Sequence, residues 1–258
     1  MKVSVFSFAV NDKFPLDIMY RQFKKFMKED FDFILFNDAY DPEMVRAIDT
    51  VTSYNKITCV RVPQKIHGVQ NPSECYASTV NWAVHDFAVK NSCEVIVLMH
   101  SDVFPICDVL ISNIIGNSTI ASTVEFRLLN GKGIHYLYPA FTIINMKLLK
   151  NPQELDFGLD TGLDTGGKSR AFIEKYPDDV KFIPNHQASY FLATLLEGDP
   201  NKKYWETDLQ ISRKYGISSG WIAQGFYHFL AGSQWDAGNP VFAQGYKERM
   251  ELFLKYFY

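Results

Sequence analysis

Apolar residues in this chain fall into short runs separated by amphipathic stretches, and the alternation persists over the first hundred residues. Residues 2–10 (KVSVFSFAV), 31–38 (FDFILFND), 56–62 (KITCVRV) and 94–100 (EVIVLMH) are short and largely apolar, as strands buried on both faces are. Between them, 16–29 (LDIMYRQFKKFMKE), 41–51 (DPEMVRAIDTV) and 71–91 (NPSECYASTVNWAVHDFAVKN) carry helical spacing. The last is the strongest helix signal in the chain. Asn71 can cap it, Pro72 suits the first helical position, and Glu74 stands three residues after the cap, as in a capping box. Ala77, Val80, Val84, Phe87 and Ala88 fall on one face. This βαβα rhythm predicts an α/β fold built on a doubly wound, mostly parallel, Rossmann-like sheet. Ligands of such sheets bind beyond the carboxyl ends of the strands.

From about residue 120 the rhythm changes. Residues 119–129 and 133–146 read as strands joined by a turn at Asn130-Gly131, and they predict a smaller mixed sheet in the C-terminal half. A glycine-rich segment follows (156–169, DFGLDTGLDTGGKS), then a helix at 170–176. Residues 188–198 (ASYFLATLLEG) fit either a helix or a buried strand. Residues 220–235 read as strand then loop, and 245–258 as a closing helix with Tyr246, Met250, Phe253 and Phe257 on one face. Core packing is the plain reading of that face, and contact with a membrane surface or partner is the other.

The 258 residues are 47% hydrophobic, enough to bury a substantial core as a single domain over 1–258. A net charge of −3 with scattered basic residues argues against nucleic acid as a partner. Cys59, Cys75, Cys93 and Cys107 form no CxxC pair. They read as buried thiols acting as small hydrophobes in a reducing, cytoplasmic setting. The first residues are too short and too alternating for a signal peptide, and no run approaches the roughly 20 apolar residues of a membrane span.

Acids stand at two strand ends. Asn37 and Asp38 follow the second strand, and His100-Ser101-Asp102 follows the fourth. An acid after the second strand of a nucleotide-binding sheet commonly accepts hydrogen bonds from a ribose or base; Asp38 can equally be a turn residue or a cap for the next helix. Asp102 is in a more demanding place, because a carboxylate beside so apolar a strand is costly unless paired, hydrogen-bonded or metal-bound. A hard divalent cation prefers oxygen ligands and would bridge Asp102 to a diphosphate.

The order of these features resembles the nucleotide-sugar-dependent glycosyltransferases of the glycosyltransferase A fold, in particular family-2-like members. Asn71 and Asn81 look like the two asparagines that precede the motif strand there, and His100-Ser101-Asp102 looks like the DxD motif with histidine in place of the first acid. The resemblance implies that residues 1–105 bind the nucleotide and 106–258 supply the acceptor side. It implies Asp102 as ligand to Mn²⁺ or Mg²⁺ and to the diphosphate of a UDP- or GDP-sugar donor, with His100 as a further metal ligand. A strand-end histidine satisfied by a backbone carbonyl is the alternative for His100. Asp164, in the repeated GLDTG, occupies the place of the acid that takes the proton of the acceptor hydroxyl, with Asp160 second. The segment YHFLAGSQW resembles one that closes over the donor, implying His228 as a metal ligand and Ser233, beside Gly232, near the phosphates. Imidazole plus carboxylate suits Mn²⁺ better than Mg²⁺.

The implied reaction is transfer of a sugar from a nucleotide diphosphate sugar to a glycan or lipid-linked acceptor hydroxyl, with peripheral membrane contact as one setting. A sugar nucleotidyltransferase of the same fold would carry a glycine- and arginine-rich loop after the first strand, where this chain has NDKFPL. A dehydrogenase or methyltransferase would show GxGxxG there. A non-catalytic carbohydrate-binding protein on a degenerate transferase fold is favoured by the missing first acid. Trp205 with the acids Glu206 and Asp208 beside it is a reserve candidate for stacking on and hydrogen-bonding to a sugar, and Tyr138 and Trp235 for stacking on a sugar or base.

Overall fold

The computed structural model describes residues 1–9, 16–63, 71–187, 201–222, 225–229 and 239–258. In chain order the elements are β1 (Val3–Ala9), α1 (Leu16–Phe26), β2 (Phe31–Asn37), α2 (Pro42–Asn55), β3 (Thr58–Arg61) and α3 (Pro72–Trp82), which runs on into a π-helical turn (Ala83–Ala88). Then follow β4 (Val95–His100), β5 (Val103–Pro105), α4 (Ile111–Ile115), β6 (Ile120–Leu129), β7 (Lys132–Asn145), α5 (Arg170–Lys175), β8 (Val180–Phe182) and β9 (Asn185–Gln187). The last described elements are α6 (Lys202–Tyr215), β10 (Gly220–Ile222), β11 (Phe226–His228) and α7 (Pro240–Phe257). Residues 188–198, read from the sequence as helix or strand, lie outside the described residues.

Contacts divide the chain into two units. The first comprises Met1–Lys13, Lys28–His100 and Leu110–Ile183. Its sheet has seven strands in the order β3-β2-β1-β4-β7-β6-β8. The first four are parallel, β7 runs antiparallel to both β4 and β6, and β8 is parallel to β6. Residues 120–145 therefore extend the main sheet, where the sequence reading assigns them to a separate smaller one. The burial of β7 explains the difference: Ala140, Phe141, Ile143 and Ile144 are all sealed off, and a strand apolar on both faces is stable only between two others. The hairpin turn is as expected, with Asn130 at φ 51° and Gly131 at φ 75°, the type I′ geometry that Asn-Gly favours. The core joins Phe6, Phe36, Leu98 and Ile144 of the sheet to Val80 and Val84. Asn71 caps α3 by accepting from the Ser73 N–H at 3.0 Å, as its sequence predicts.

The second unit comprises Phe14–Met27, Ser101–Val109 and Pro184–Tyr258. Its sheet, β5-β11-β10-β9, is antiparallel throughout rather than mixed, and it draws its first strand from residues 103–105. Strands this short cannot be told from loop by periodicity. The last helix begins at Pro240, earlier than its apolar repeat suggests, because Asn239 caps it by accepting from the Val241 and Phe242 N–H groups. Tyr246, Met250, Phe253 and Phe257 are buried, so that face serves the core. Phe253 packs against Phe104, Tyr227 and Phe229.

A charge lies inside this unit. Arg249 and Asp208 are both fully buried and pair at 2.8 Å. Asp208 also accepts from Tyr227 Oη at 2.8 Å and from Ser219 Oγ. Arg249 donates to the Ser218 carbonyl at 2.7 Å and to Ser212 Oγ. Burial, with Asp208 beside it, holds the Tyr227 phenol well above its ordinary range, so its hydroxyl remains a donor to the carboxylate. Trp205 is buried against Tyr204 and Tyr227. Asp208 and Trp205, reserve candidates for sugar contact, are thus parts of the core.

The four thiols are less buried than expected: Cys59, Cys75 and Cys93 are half-buried and Cys107 is exposed. Among the described residues, no helix is long and apolar enough to cross a membrane.

Candidate functional site

In the first unit the strand order reverses between β1 and β4, the switch point at which α/β sheets bind ligands. Their carboxyl ends lie level, with His100 beside Phe8 and Asn37 beside Ala9. Asp38 continues past β2, its N–H donating to the Ala9 carbonyl at 2.8 Å. Its carboxylate is buried and accepts from Thr79 Oγ1 at 2.7 Å. The cap of the next helix, the alternative role for Asp38, falls to Asp41 instead, which accepts from the Glu43 N–H at 2.9 Å. Asn37 accepts from the Ala39 N–H and from Arg61, and donates to Asp49. Thr79 carries no motif and was invisible in the sequence; only the packing of α3 brings it to Asp38.

His100 is half-buried at the end of β4. Its imidazole meets Tyr76 edge-on at 4.9 Å and 77°, and Tyr138 at 5.5 Å and 73°. Tyr138, a candidate for stacking on sugar or base, is therefore in contact with the histidine.

Asn81 spends both ends of its amide on one loop. Nδ2 donates to Asp156 Oδ1 at 2.7 Å, and Oδ1 accepts from the Phe157 N–H at 2.8 Å. Asp156 accepts in addition from the Gly158 N–H at 2.7 Å and faces Lys168 at 3.7 Å. Together they border an open cleft of about 320 Å³ that Glu74 and Ser78 also line. The loop leads into the repeated GLDTG, whose two acids the structure treats differently. Asp160 pairs with Arg170 at 2.9 Å, whereas Asp164 is exposed and accepts from the Thr165 N–H at 2.7 Å. Thr165 Oγ1 donates to the Ser73 carbonyl at 3.2 Å, which ties this loop to the first turn of α3. Gly166 stands at φ 93°, and a Cβ there would lie 2.0 Å from the Leu137 carbonyl oxygen. Asn81→Ala should cost about 1–3 kcal/mol, the penalty for stranding a partly buried donor and acceptor. Urea unfolding with unchanged slope measures it, and a loss below about 0.5 kcal/mol would mean that the loop does not depend on Asn81.

In the second unit Asp102 and His228 form a buried pair, His228 Nε2 to Asp102 Oδ1 at 3.3 Å. Backbone pairing sets them together: β5 and β11 run antiparallel with Val103 opposite His228, and the Phe229 N–H donates to the Asp102 carbonyl at 2.9 Å. The candidate ligands from two distant stretches thus stand side by side, His228 at the end of β11 and Asp102 just before β5. His100 precedes Asp102 by two residues, across the Ser101-Asp102 turn that ends β4 and opens β5. Ser233, Gly232 and Trp235 lie outside the described residues. A buried carboxylate beside an imidazole can hold a divalent cation or orient a proton donor, and its burial keeps bulk water from competing.

No family model matches the sequence, and no curated protein matches it. Solved structures do match in fold. The galactosyltransferase LgtC in complex with donor and acceptor sugar analogues superposes with a TM-score of 0.52 at 10% identity, over 98% of this chain and 96% of that one. A mannosyltransferase from Pyrobaculum calidifontis in complex with GDP-Man and Mn²⁺ gives 0.46 at 11% identity, over 98% of this chain and 70% of that one. Glucosyl-3-phosphoglycerate synthase from Mycobacterium tuberculosis gives 0.45 at 12% identity, over 70% and 68%. Seven strands reversing order between β1 and β4, flanking helices, a small antiparallel sheet and the end-to-end match to the galactosyltransferase have one common description: this chain has the glycosyltransferase A fold.

Proposed function

We propose that the protein transfers a glycosyl group from a nucleotide diphosphate sugar, of UDP or GDP type, to a hydroxyl of a glycan or lipid-linked acceptor. The observation that carries this reading is the buried Asp102–His228 pair, set after the motif strand of a fold shared with a transferase crystallised on donor and acceptor analogues.

Asp102 and His228 offer a carboxylate and an imidazole, and His100, two residues before Asp102 in the sequence, a second imidazole; this donor set fits Mn²⁺ better than Mg²⁺. A cation held there would neutralise the leaving diphosphate as a Lewis acid. Asp38, at the end of β2 and steadied by Thr79, receives the ribose or base. Asn71 and Asn81 support the donor from α3, the first as its cap and the second through the 156–158 loop. Asp164 takes the proton of the acceptor hydroxyl, because its twin Asp160 is engaged by Arg170. Four free thiols suit a reducing, cytoplasmic compartment.

Calorimetry with UDP and GDP, with and without Mn²⁺, tests the donor half, and transfer from the sugar nucleotide that binds tests the rest. Asp164→Asn should leave donor affinity within about twofold while transfer falls at least about 100-fold, the scale of general-base loss. Weakened donor binding would move Asp164 into the donor site. Metal-independent nucleotide binding without transfer would favour a carbohydrate-binding protein on this fold.

A further inference from the structure

The β6–β7 hairpin leaves one strand edge open. β8 accompanies only Ile120–Ser122 of β6, and among the described residues Val124–Leu129 pair with β7 alone. The two-residue turn makes Leu129–Lys132 a hydrogen-bonded pair, so Arg127–Ile134 and Glu125–Tyr136 are hydrogen-bonded too. The N–H and C=O groups of Val124, Phe126 and Leu128 therefore point out from the open edge. Natural edges are commonly blocked by proline, lysine or a bulge; the stretch VEFRL has none of these after the irregularity at Ser122/Val124. Instead Phe126 is 52% exposed and Leu128 68%. Phe182, 49% exposed, and His135 continue that apolar surface, with His135 5.0 Å from Phe126 and 6.2 Å from Phe182.

We propose that a second copy of this chain joins this edge, antiparallel, across a two-fold axis at Phe126. The strand is complementary to itself in that register. Phe126 meets its own copy, Val124 meets Leu128 of the partner subunit, and each of these residues exchanges both backbone hydrogen bonds with its opposite. Glu125, which now faces Arg127 of its own strand at 3.6 Å, stands opposite the partner's Arg127, and the reverse holds on the other side of the axis. Other registers lose this match. Centring on Glu125 sets like charges opposite one another and turns the wrong backbone groups to the edge. Centring on Val124 sets Glu125 against Thr123, and centring on Leu128 sets Arg127 against Leu129. The interface is isologous, as a closed dimer requires.

Sedimentation velocity over a concentration series tests the pairing. The wild-type chain should dimerise, and Arg127→Glu or Glu125→Arg should each raise the dimer dissociation constant at least about tenfold, since like charges then face each other twice. An equimolar mixture of the two variants should re-associate, because one strand then carries two acids and the other two bases. Misfolded variants would not regain partners on mixing, so that arm separates lost pairing from lost folding. Amide exchange at Phe126 and Leu128 should slow as concentration rises. A wild-type chain that stays monomeric at its highest soluble concentration overturns the proposal. So does a dimer indifferent to both charge reversals, or a mixture that fails to associate although each variant keeps the wild-type circular dichroism and thermal unfolding.

Discussion

Arg249→Ala is expected to destabilise the protein by about 3–5 kcal/mol, the cost of leaving a buried charge without its partner. Asp208 would lose the guanidinium at 2.8 Å and keep only neutral donors, Tyr227 and Ser219. The Ser218 carbonyl and Ser212 hydroxyl would lose their donor at the same time. Since a whole domain is held by roughly 5–15 kcal/mol, this one truncation can unfold the second unit at ordinary temperature. The double variant Asp208→Leu with Arg249→Met should recover much of the loss, because well-packed apolar groups of similar volume often match or exceed a buried ion pair. Urea denaturation of the wild type, the single and the double variant reads both effects. A single variant within about 1 kcal/mol of wild type would mean that water reaches Asp208.

The second large effect concerns the candidate metal ligands. Asp102→Asn keeps the shape of the side chain and removes the carboxylate charge that stands 3.3 Å from His228 Nε2. Transfer should fall at least about 100-fold if this carboxylate meets the charge that develops on the leaving diphosphate. Mn²⁺ binding, followed by paramagnetic resonance of the free ion, should be lost in the same variant and in His228→Ala. That readout does not depend on turnover. Full Mn²⁺ affinity in Asp102→Asn would remove Asp102 from the metal site, and unchanged transfer would remove it from the reaction.

How much of this was legible in the order of residues depends on whether the signal is local. The alternation of short apolar runs with amphipathic stretches determined the parallel half of the sheet, since a strand buried on both faces must be apolar throughout. Asn71 and Pro72 announced α3, and Asn130-Gly131 announced the β6–β7 turn; both are local rules of backbone chemistry. The stretch VIVLMHSD showed that an acid and an imidazole stand at the end of a buried strand. Only tertiary structure decided what they meet. His228 reaches Asp102 because β11 pairs with β5, and hydrogen bonds between strands leave no periodic trace in either segment. The same holds for Thr79 at Asp38 and for Asn81 on the 156–158 loop. Asp208 shows the limit most clearly: beside Trp205 it read as a sugar contact, yet the fold buries it and supplies Arg249 from the last helix. A buried charge obtains its partner from whichever element packs against it, and that is decided in space, not along the chain.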